Sequence, residues 1–255
     1  LWNAKTDLGD IMKTLIMQNL FLAELPFPVR EALSPFLEMI EVHKSGITSG
    51  AGLREDFIYF PLNCLCSIDL RMTDGFHAHL ALLGFREAAG LHRYAYPPLP
   101  GTTRVLAGGY ALQMPLAAFE KQFVKTTELQ RAIQGSMARM MRTLGHATAC
   151  NLHHSLQKRL SRWLLCAADA TAHRHFEFTH EELASILGVR REAVTEALAR
   201  LSIAGAVETS RGKIAIKDEA LLRDSACDCH EVPATRLHST TQAGGERWGA
   251  IPASL

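Results

Sequence analysis

The sequence predicts an α+β chain in three parts: an antiparallel β domain, a long dimerisation helix, and a C-terminal winged helix-turn-helix. Three observations predict it. From residue 41 to 118, short apolar runs sit between Gly and Pro turn signals. From Pro115 to Ala168 the breakers almost vanish and apolar residues recur in steps of three and four. Between residues 170 and 217 a capped helix, a glycine turn, a second helix and a hairpin follow one another. Period-two runs mark strands, three-four steps mark a helix face, and the last succession is the winged motif. The expected bounds are 15–124 for the β domain, 125–154 for the helix and 155–230 for the winged unit. Residues 231–255 are polar and Gly-rich, and are expected to be a disordered tail.

In chain order, residues 20–40 read as short helices broken by Pro26, Pro28 and Pro35. The strands are expected at Phe57 to Phe60, Leu62 to Leu70, Leu80 to Phe85 and Arg104 to Met114. One helical stripe then runs through Leu129, Ile133, Met137, Met140, Met141, Leu144 and Ala147 to Leu152, Leu156 and Leu160. A helix this long has little to cover it inside a small domain, so a partner helix is the expected cover. The dimer is expected through Leu129, Ile133, Met137, Met140 and Leu144. The alternative is a helix packed on its own β domain.

Phe178-Thr-His-Glu-Glu182 carries a capping box, with Thr179 accepting from the Glu182 N–H and Glu182 reaching back. The helix it opens buries Leu183, Ala184, Ile186 and Leu187, and Gly188 ends it. The next helix starts near Arg190, buries Val194, Ala197, Leu198 and Leu201, and stops at Gly205. Val207 to Thr209 and Ile214 to Ile216 read as two strands joined by the basic turn Ser210-Arg-Gly-Lys213. A short helix is expected near Glu219 to Ala226.

The second helix leaves Arg190, Arg191, Glu192, Thr195, Glu196 and Arg200 off its apolar face. Such a helix meets base edges with its N-terminal residues. Arg191 suits bidentate contact with guanine, Glu192 can accept from cytosine N4 or hold an arginine, and Thr195 can touch a thymine methyl. Arg211 and Lys213 in the turn suit phosphate, as does the helix N-terminus at Thr179. From Leu129 to Ala168 there is no Asp or Glu, while Arg131, Arg139, Arg142, Lys158, Arg159 and Arg162 are present. Beside a helix-turn-helix, this stretch favours phosphate attraction over an ordinary solvated face. The whole chain carries only +1, from 27 basic and 26 acidic side chains, which excludes a histone-like protein. Apolar residues make up 47 % of the 255, which excludes a wholly disordered chain. No apolar stretch is long enough to span a bilayer, and no membrane partner is expected. The chain begins at Leu1, read as an unusual start or a fragment, and its first residues lack a signal pattern, so a cytoplasmic protein is expected.

With Phe178 to Leu198, Gly205 and the Ser210-Arg-Gly-Lys-Ile214 turn in place, the chain resembles the cyclic-AMP receptor/FNR (Crp/Fnr) family of bacterial transcription regulators. The resemblance covers about residues 15 to 230. It implies a cyclic-nucleotide-binding-like β-roll (jelly roll) as effector domain, a dimer helix and a DNA-binding winged helix. The implied partners are double-stranded DNA, a second copy and RNA polymerase, with an unidentified small-molecule or redox effector and no assigned cofactor. The family's Arg-Glu pair falls on Arg191 and Glu192, and its second base-reading arginine falls on Glu196, so the operator differs. The family's nucleotide pocket has a Gly-Glu pair and an Arg-Ser/Thr pair. Here Glu87 follows Arg86, and Arg104 precedes Val105, so cyclic AMP is not the expected ligand. A buried phosphate without a placed cation is costly.

Other constellations remain. Cys64 and Cys66 alternate along a strand and are expected in the core. Cys227, Cys229 and His230 offer three zinc ligands, but the spacing is tighter than usual and no fourth ligand is near in sequence, so no metal site is expected. Cys150 lies near the dimer stripe, where an intersubunit disulfide would need it. Among the histidines, His77-x-His79, His153-His154 and His173-x-His175 read as surface or cap residues, with haem ligation as the alternative. There is no Gly-rich phosphate loop, Gly-x-Ser-x-Gly elbow or His-Glu-x-x-His pair, so no enzyme is expected. The alternative to a DNA-binding regulator is a ligand- or redox-sensing module acting through protein contact.

Overall fold

The structure is a computed structural model that describes residues 4–44, 53–73, 77–94 and 101–230. The tail beyond 230, expected to be disordered, lies outside the described residues.

Three helices open the chain: α1 (Ala4–Gln18), α2 (Leu20–Ala23) and α3 (Phe27–Leu33). Asn19 caps α2 by accepting from the Leu22 N–H, and its buried amide donates to the Pro61 and Glu87 carbonyls. A buried amide needs those partners, and through them the helices are fixed to the β layer. The strands are β1 (Glu38–Val42), β2 (Phe57–Pro61), β3 (Leu65–Arg71), β4 (His77–Leu83), β5 (Thr102–Ala107) and β6 (Gly109–Pro115). They form two antiparallel three-stranded sheets, ordered β1-β6-β2 and β4-β3-β5. The run from Arg104 to Met114, read as one strand, divides at Gly108 into two strands of different sheets. Val42, Cys64, Cys66, Ile68, Leu83 and Val105 are buried together between the sheets, so Cys64 and Cys66 are core residues. Strand β1 begins at Glu38, inside the stretch expected to be helical.

The breaker-poor stretch, with its long helix expected at 125–154 and its apolar stripe running on to Leu160, holds three helices: α4 (Leu116–Lys125), α5 (Thr127–His153) and α6 (Leu156–Thr171). Thr126, His154 and Ser155 take extended backbone between them. No proline or glycine forces these breaks. β-branched and cap-forming residues hold helical geometry weakly, so tertiary packing decides there. Leu129 and Ile133 on α5 are buried with Phe60, Leu112 and Phe119 of the same chain. They are therefore not a free dimer face; the chain's own β-roll covers them. Met137 and Met140 are half-buried against the same roll, and Leu144 is half-buried.

The last part packs α6, α7 (His180–Leu187), α8 (Arg191–Ile203) and α9 (Glu219–Asp224) on a sheet ordered β7-β9-β8. Its strands are β7 (His175–Phe176), β8 (Val207–Ser210) and β9 (Lys213–Ile216). Trp163 meets Phe178 edge-on at 5.1 Å in its core. Leu65 and Leu106 of the β-roll join that core, so the two parts share apolar surface. At the junction the Phe85 N–H donates to the Ala170 carbonyl at 3.1 Å. A Cβ on Gly84 would lie 2.0 Å from that oxygen, so only glycine permits the approach.

Candidate nucleic-acid interface

The interface is built from α7, α8 and the β8–β9 hairpin. Thr179 accepts from the Glu182 N–H at 3.1 Å, and the Thr179 N–H donates to Glu182 Oε2 at 2.8 Å, which is the reciprocal box the sequence predicts. The Thr179 hydroxyl also donates to that carboxylate, so its bonding is satisfied inside the box. A phosphate at this end would meet the backbone N–H groups of the first turn instead. Gly188 closes α7 at φ +64°, the left-handed geometry that lets α8 leave at an angle.

Helix α8 buries Val194, Ala197, Leu198 and Leu201. The same period turns Arg191, Glu192, Thr195, Glu196 and Arg200 to the exposed face, and Arg190 is exposed as the residue before the first turn. Arg191 and Glu192 share no hydrogen bond among the described residues, so Glu192 does not hold the arginine in this structure. Glu196 is paired instead with Arg200 at 2.6 Å, one turn on. Thr195 donates to the Arg191 carbonyl at 3.1 Å, and His180 Nδ1 lies 2.8 Å from its hydroxyl. His180 thus steadies the middle of α8, a contact between helices that no local pattern signals.

In the hairpin, Ser210 pairs with Lys213 across the turn, and Gly212 takes φ +70°. Arg211 and Lys213 are exposed at this tip. Lys213 lies 3.4 Å from Glu177, an exposed pair of the kind that contributes little.

Sequence reading also missed Lys44, which leaves the β-roll after β1. Its ammonium lies 2.7 Å from Glu182, donates to the Glu177 carbonyl at 2.5 Å and sits 5.0 Å from the Phe178 ring centre. Partial burial alone would raise the Glu182 carboxyl; the Lys44 bond and charge and the Thr179 N–H and hydroxyl outweigh it and hold the group below its usual range. No local motif marks a lysine 138 residues away as a partner of the cap.

The basic stretch divides. Arg162 is buried at 9 % exposure. Arg159 donates to Asn151 Oδ1 and to the Leu187 carbonyl at the end of α7. Arg162 is thus enclosed and Arg159 engaged within the winged unit, and the exposed Arg131, Arg142 and Lys158 with half-buried Arg139 are what remains for phosphate.

On the β-roll, Arg104 is paired with buried Asp69 at 2.6 Å, Ser67 donates to Asp69 at 2.6 Å and His79 lies 3.6 Å away. Burial would raise the Asp69 carboxyl, but His79, Ser67 and the Arg104 charge hold it below its ordinary value. Glu87 accepts from the Gly84 N–H at 3.0 Å, and burial pushes its carboxyl up to about 7. Glu87, Arg86 and His79 line a cavity shared with Arg162, Trp163 and Asp169 of α6.

The cysteine expectations change. His230 turns from the thiols: its Nδ1 lies 2.9 Å from the Cys227 carbonyl and its Nε2 2.9 Å from Arg223. Cys150 and His154, at the end of α5, face Cys227 and Cys229 instead. Cys150 is buried against its own chain, 3.5 Å from Cys227, which leaves no room for an intersubunit disulfide.

Comparison with known proteins agrees with this geometry. Residues 158–225 match the family model of the Crp-like helix-turn-helix domain. No curated protein matches the chain in sequence. Among solved structures, the chain is similar to a putative Crp/Fnr-family transcriptional regulator from Eubacterium rectale. The identity is 19 % and the TM-score 0.60, over 80 % of this chain and 95 % of that one. It is similar to FixK2 of Bradyrhizobium japonicum, at 14 % identity and TM-score 0.60, over 75 % of this chain and 98 % of that one. It is also similar to the c-di-GMP-responsive regulator CLP of Xanthomonas campestris, at 13 % identity and TM-score 0.57, over 76 % of this chain and all of that one.

Proposed function

We propose that this chain, a Crp-like helix-turn-helix domain joined to a Crp/Fnr-type β-roll, is a transcription regulator that reads a two-fold DNA site as a homodimer. The observation that carries the reading is the division of α8: an apolar face locked into the winged core, and Arg191, Glu192 and Thr195 exposed on its first turns. In that placement Arg191 offers two parallel N–H donors to guanine O6 and N7, and Glu192 accepts from cytosine N4. Arg190, Arg211, Lys213 and the amides after Thr179 fix the register on phosphate. Glu196, neutralised by Arg200, rejects the guanine an arginine there would select.

The pairing face we assign is the exposed ridge of α5. Ala138, Met141, Gly145, Thr148 and Leu152 recur in steps of three and four. Met141 is 75 % and Leu152 85 % exposed, and the space above Gly145 is open. Steps of three and four are the seam of a two-stranded coil. The effector is not cyclic AMP in this reading, because Arg104 is committed to Asp69 and no hydroxyl residue follows it.

The test selects bound duplexes from a random DNA pool with the purified chain, with and without reductant. The expected product is a two-fold motif whose half-sites lie about 10 base pairs apart, bound more weakly as salt rises. Absence of retention at low ionic strength would leave the alternative, a module acting through protein contact.

A further inference from the structure

The sequence pairs Cys227 and Cys229 with the adjacent His230, and finds no fourth ligand. The fold removes His230 and supplies two others. Cys150 lies in the last turn of α5, and His154, whose backbone N–H donates to the Cys150 carbonyl, is the first residue after the helix. Cys227 and Cys229 sit in the turn after α9. The Sγ atoms of Cys150 and Cys227 are 3.5 Å apart, and Cys229 Sγ is 3.8 Å from His154 Nδ1. All four ligand atoms lie within 4.8 Å of one another.

We propose that Cys150, His154, Cys227 and Cys229 bind one zinc ion. Zinc takes thiolate sulfur at about 2.3 Å and imidazole nitrogen at about 2.0–2.1 Å in a tetrahedron. That geometry sets S···S edges of about 3.8 Å and S···N edges of about 3.5 Å, close to the two short edges named above, and the remaining pairs lie within 4.8 Å. The donor set, three soft sulfurs and one nitrogen, is a zinc set rather than a magnesium or calcium one. An iron–sulfur cluster spreads its ligands over several irons and does not converge them on one point. Four protein ligands leave no position for water, which marks a structural ion.

Charge fits as well. Three thiolates around a divalent cation leave one negative charge. Arg162 is 9 % exposed, and its Nε lacks a hydrogen-bond partner among the described residues. Burial raises the Cys150 and Cys229 thiols, and the nearby Arg162 charge acts against that rise. A buried guanidinium needs such an anion. Ion binding sends the thiol protons to solvent and changes no oxidation state.

The ion clamps the two-residue break between α5 and α6, because His154 is in that break, to the segment after α9. It thereby sets how the winged unit hangs from the long helix. The assignment does not depend on what α8 reads.

The test uses the full chain, purified with reductant and without chelator, and measures bound metals by mass spectrometry. About one zinc per chain is expected. Chelator-stripped protein titrated with cobalt(II) alone should show thiolate charge-transfer and tetrahedral ligand-field bands. Cys229→Ser and His154→Asn should each reduce zinc to near zero, whereas His230→Gln should keep it. Zinc-free protein whose Cys150 and Cys227 are recovered as free thiols or as a disulfide overturns the proposal. So does a His154→Asn variant that keeps its metal. Should either ligand variant fail to fold, the cobalt titration of the parent decides, and absence of tetrahedral bands sinks the site.

Discussion

Arg191 and Lys213 are both exposed cations of the winged unit, yet their chemistry predicts different losses. A bidentate contact to one guanine is lost with Arg191→Ala, at about 1–3 kcal/mol, and preference relaxes at a single G·C pair. Lys213→Ala removes a phosphate contact, so every sequence weakens alike and the salt slope falls by about one. Fluorescence anisotropy on matched and mismatched duplexes separates the two; equal losses for Arg191→Ala on all duplexes would remove it from base reading. Glu87 gives a pH signature. Its carboxyl is pushed from an ordinary 4.5 up to about 7, so the fold prefers the protonated form. The cost of ionising it is absent below the ordinary value, grows as pH rises through the interval and is complete above the folded value. Glu87→Gln keeps an acceptor for the Gly84 N–H and removes that cost. Its unfolding free energy in denaturant melts should exceed the parent's at pH 8, by roughly 3 kcal/mol, and match it near pH 4. A constant difference across pH would contradict this.

At the scale of the element, the capped ends were legible and the breaks between helices were not. The α7 box is written in Thr179 and Glu182 and the turn in Gly188, because local hydrogen bonds and a positive φ need particular residues. Thr179→Ala should cost about 0.5–2 kcal/mol in denaturant melts. The cost should exceed that of a surface change, since the box also holds the carboxylate that Lys44 reaches. By contrast, the apolar stripe runs on from α5 into the start of α6 in sequence, and no proline or glycine marks His154 as a break. The same stripe hides two faces of α5. Leu129 and Ile133 turn to the β-roll, while Met141 and Leu152 turn to solvent. Periodicity counts apolar positions along a helix and does not say which neighbour covers them.

For the whole molecule, the β-roll and the winged unit are joined by the Gly84–Ala170 approach, by Lys44 at the α7 cap, and by Leu65 and Leu106 entering the winged core. A signal that shifts the β-roll therefore has a packed route to α8. Among the described residues no helix is long and apolar enough to cross a membrane. If α5 pairs two copies along its exposed ridge, Met141→Glu places two like charges at the seam. Sedimentation should then show single chains, and affinity for a two-fold duplex should fall at least tenfold while each α8 stays folded. An unchanged sedimentation coefficient would move the pairing face elsewhere.

The sequence by itself determined the α+β plan, the capped α7, the α8 face bearing Arg191 and the basic hairpin turn. Each is set by interactions within a few residues, where spacing and side-chain chemistry suffice. Only the tertiary structure decided that Leu129 and Ile133 are inward, that Arg159 bonds to the end of α7 while Arg162 is buried, and that Arg104 is taken by Asp69. It also decided that Cys150 and His154, rather than His230, meet Cys227 and Cys229. Those pairings join residues up to 79 positions apart, and chain folding in three dimensions, not local pattern, brings such groups within bonding distance.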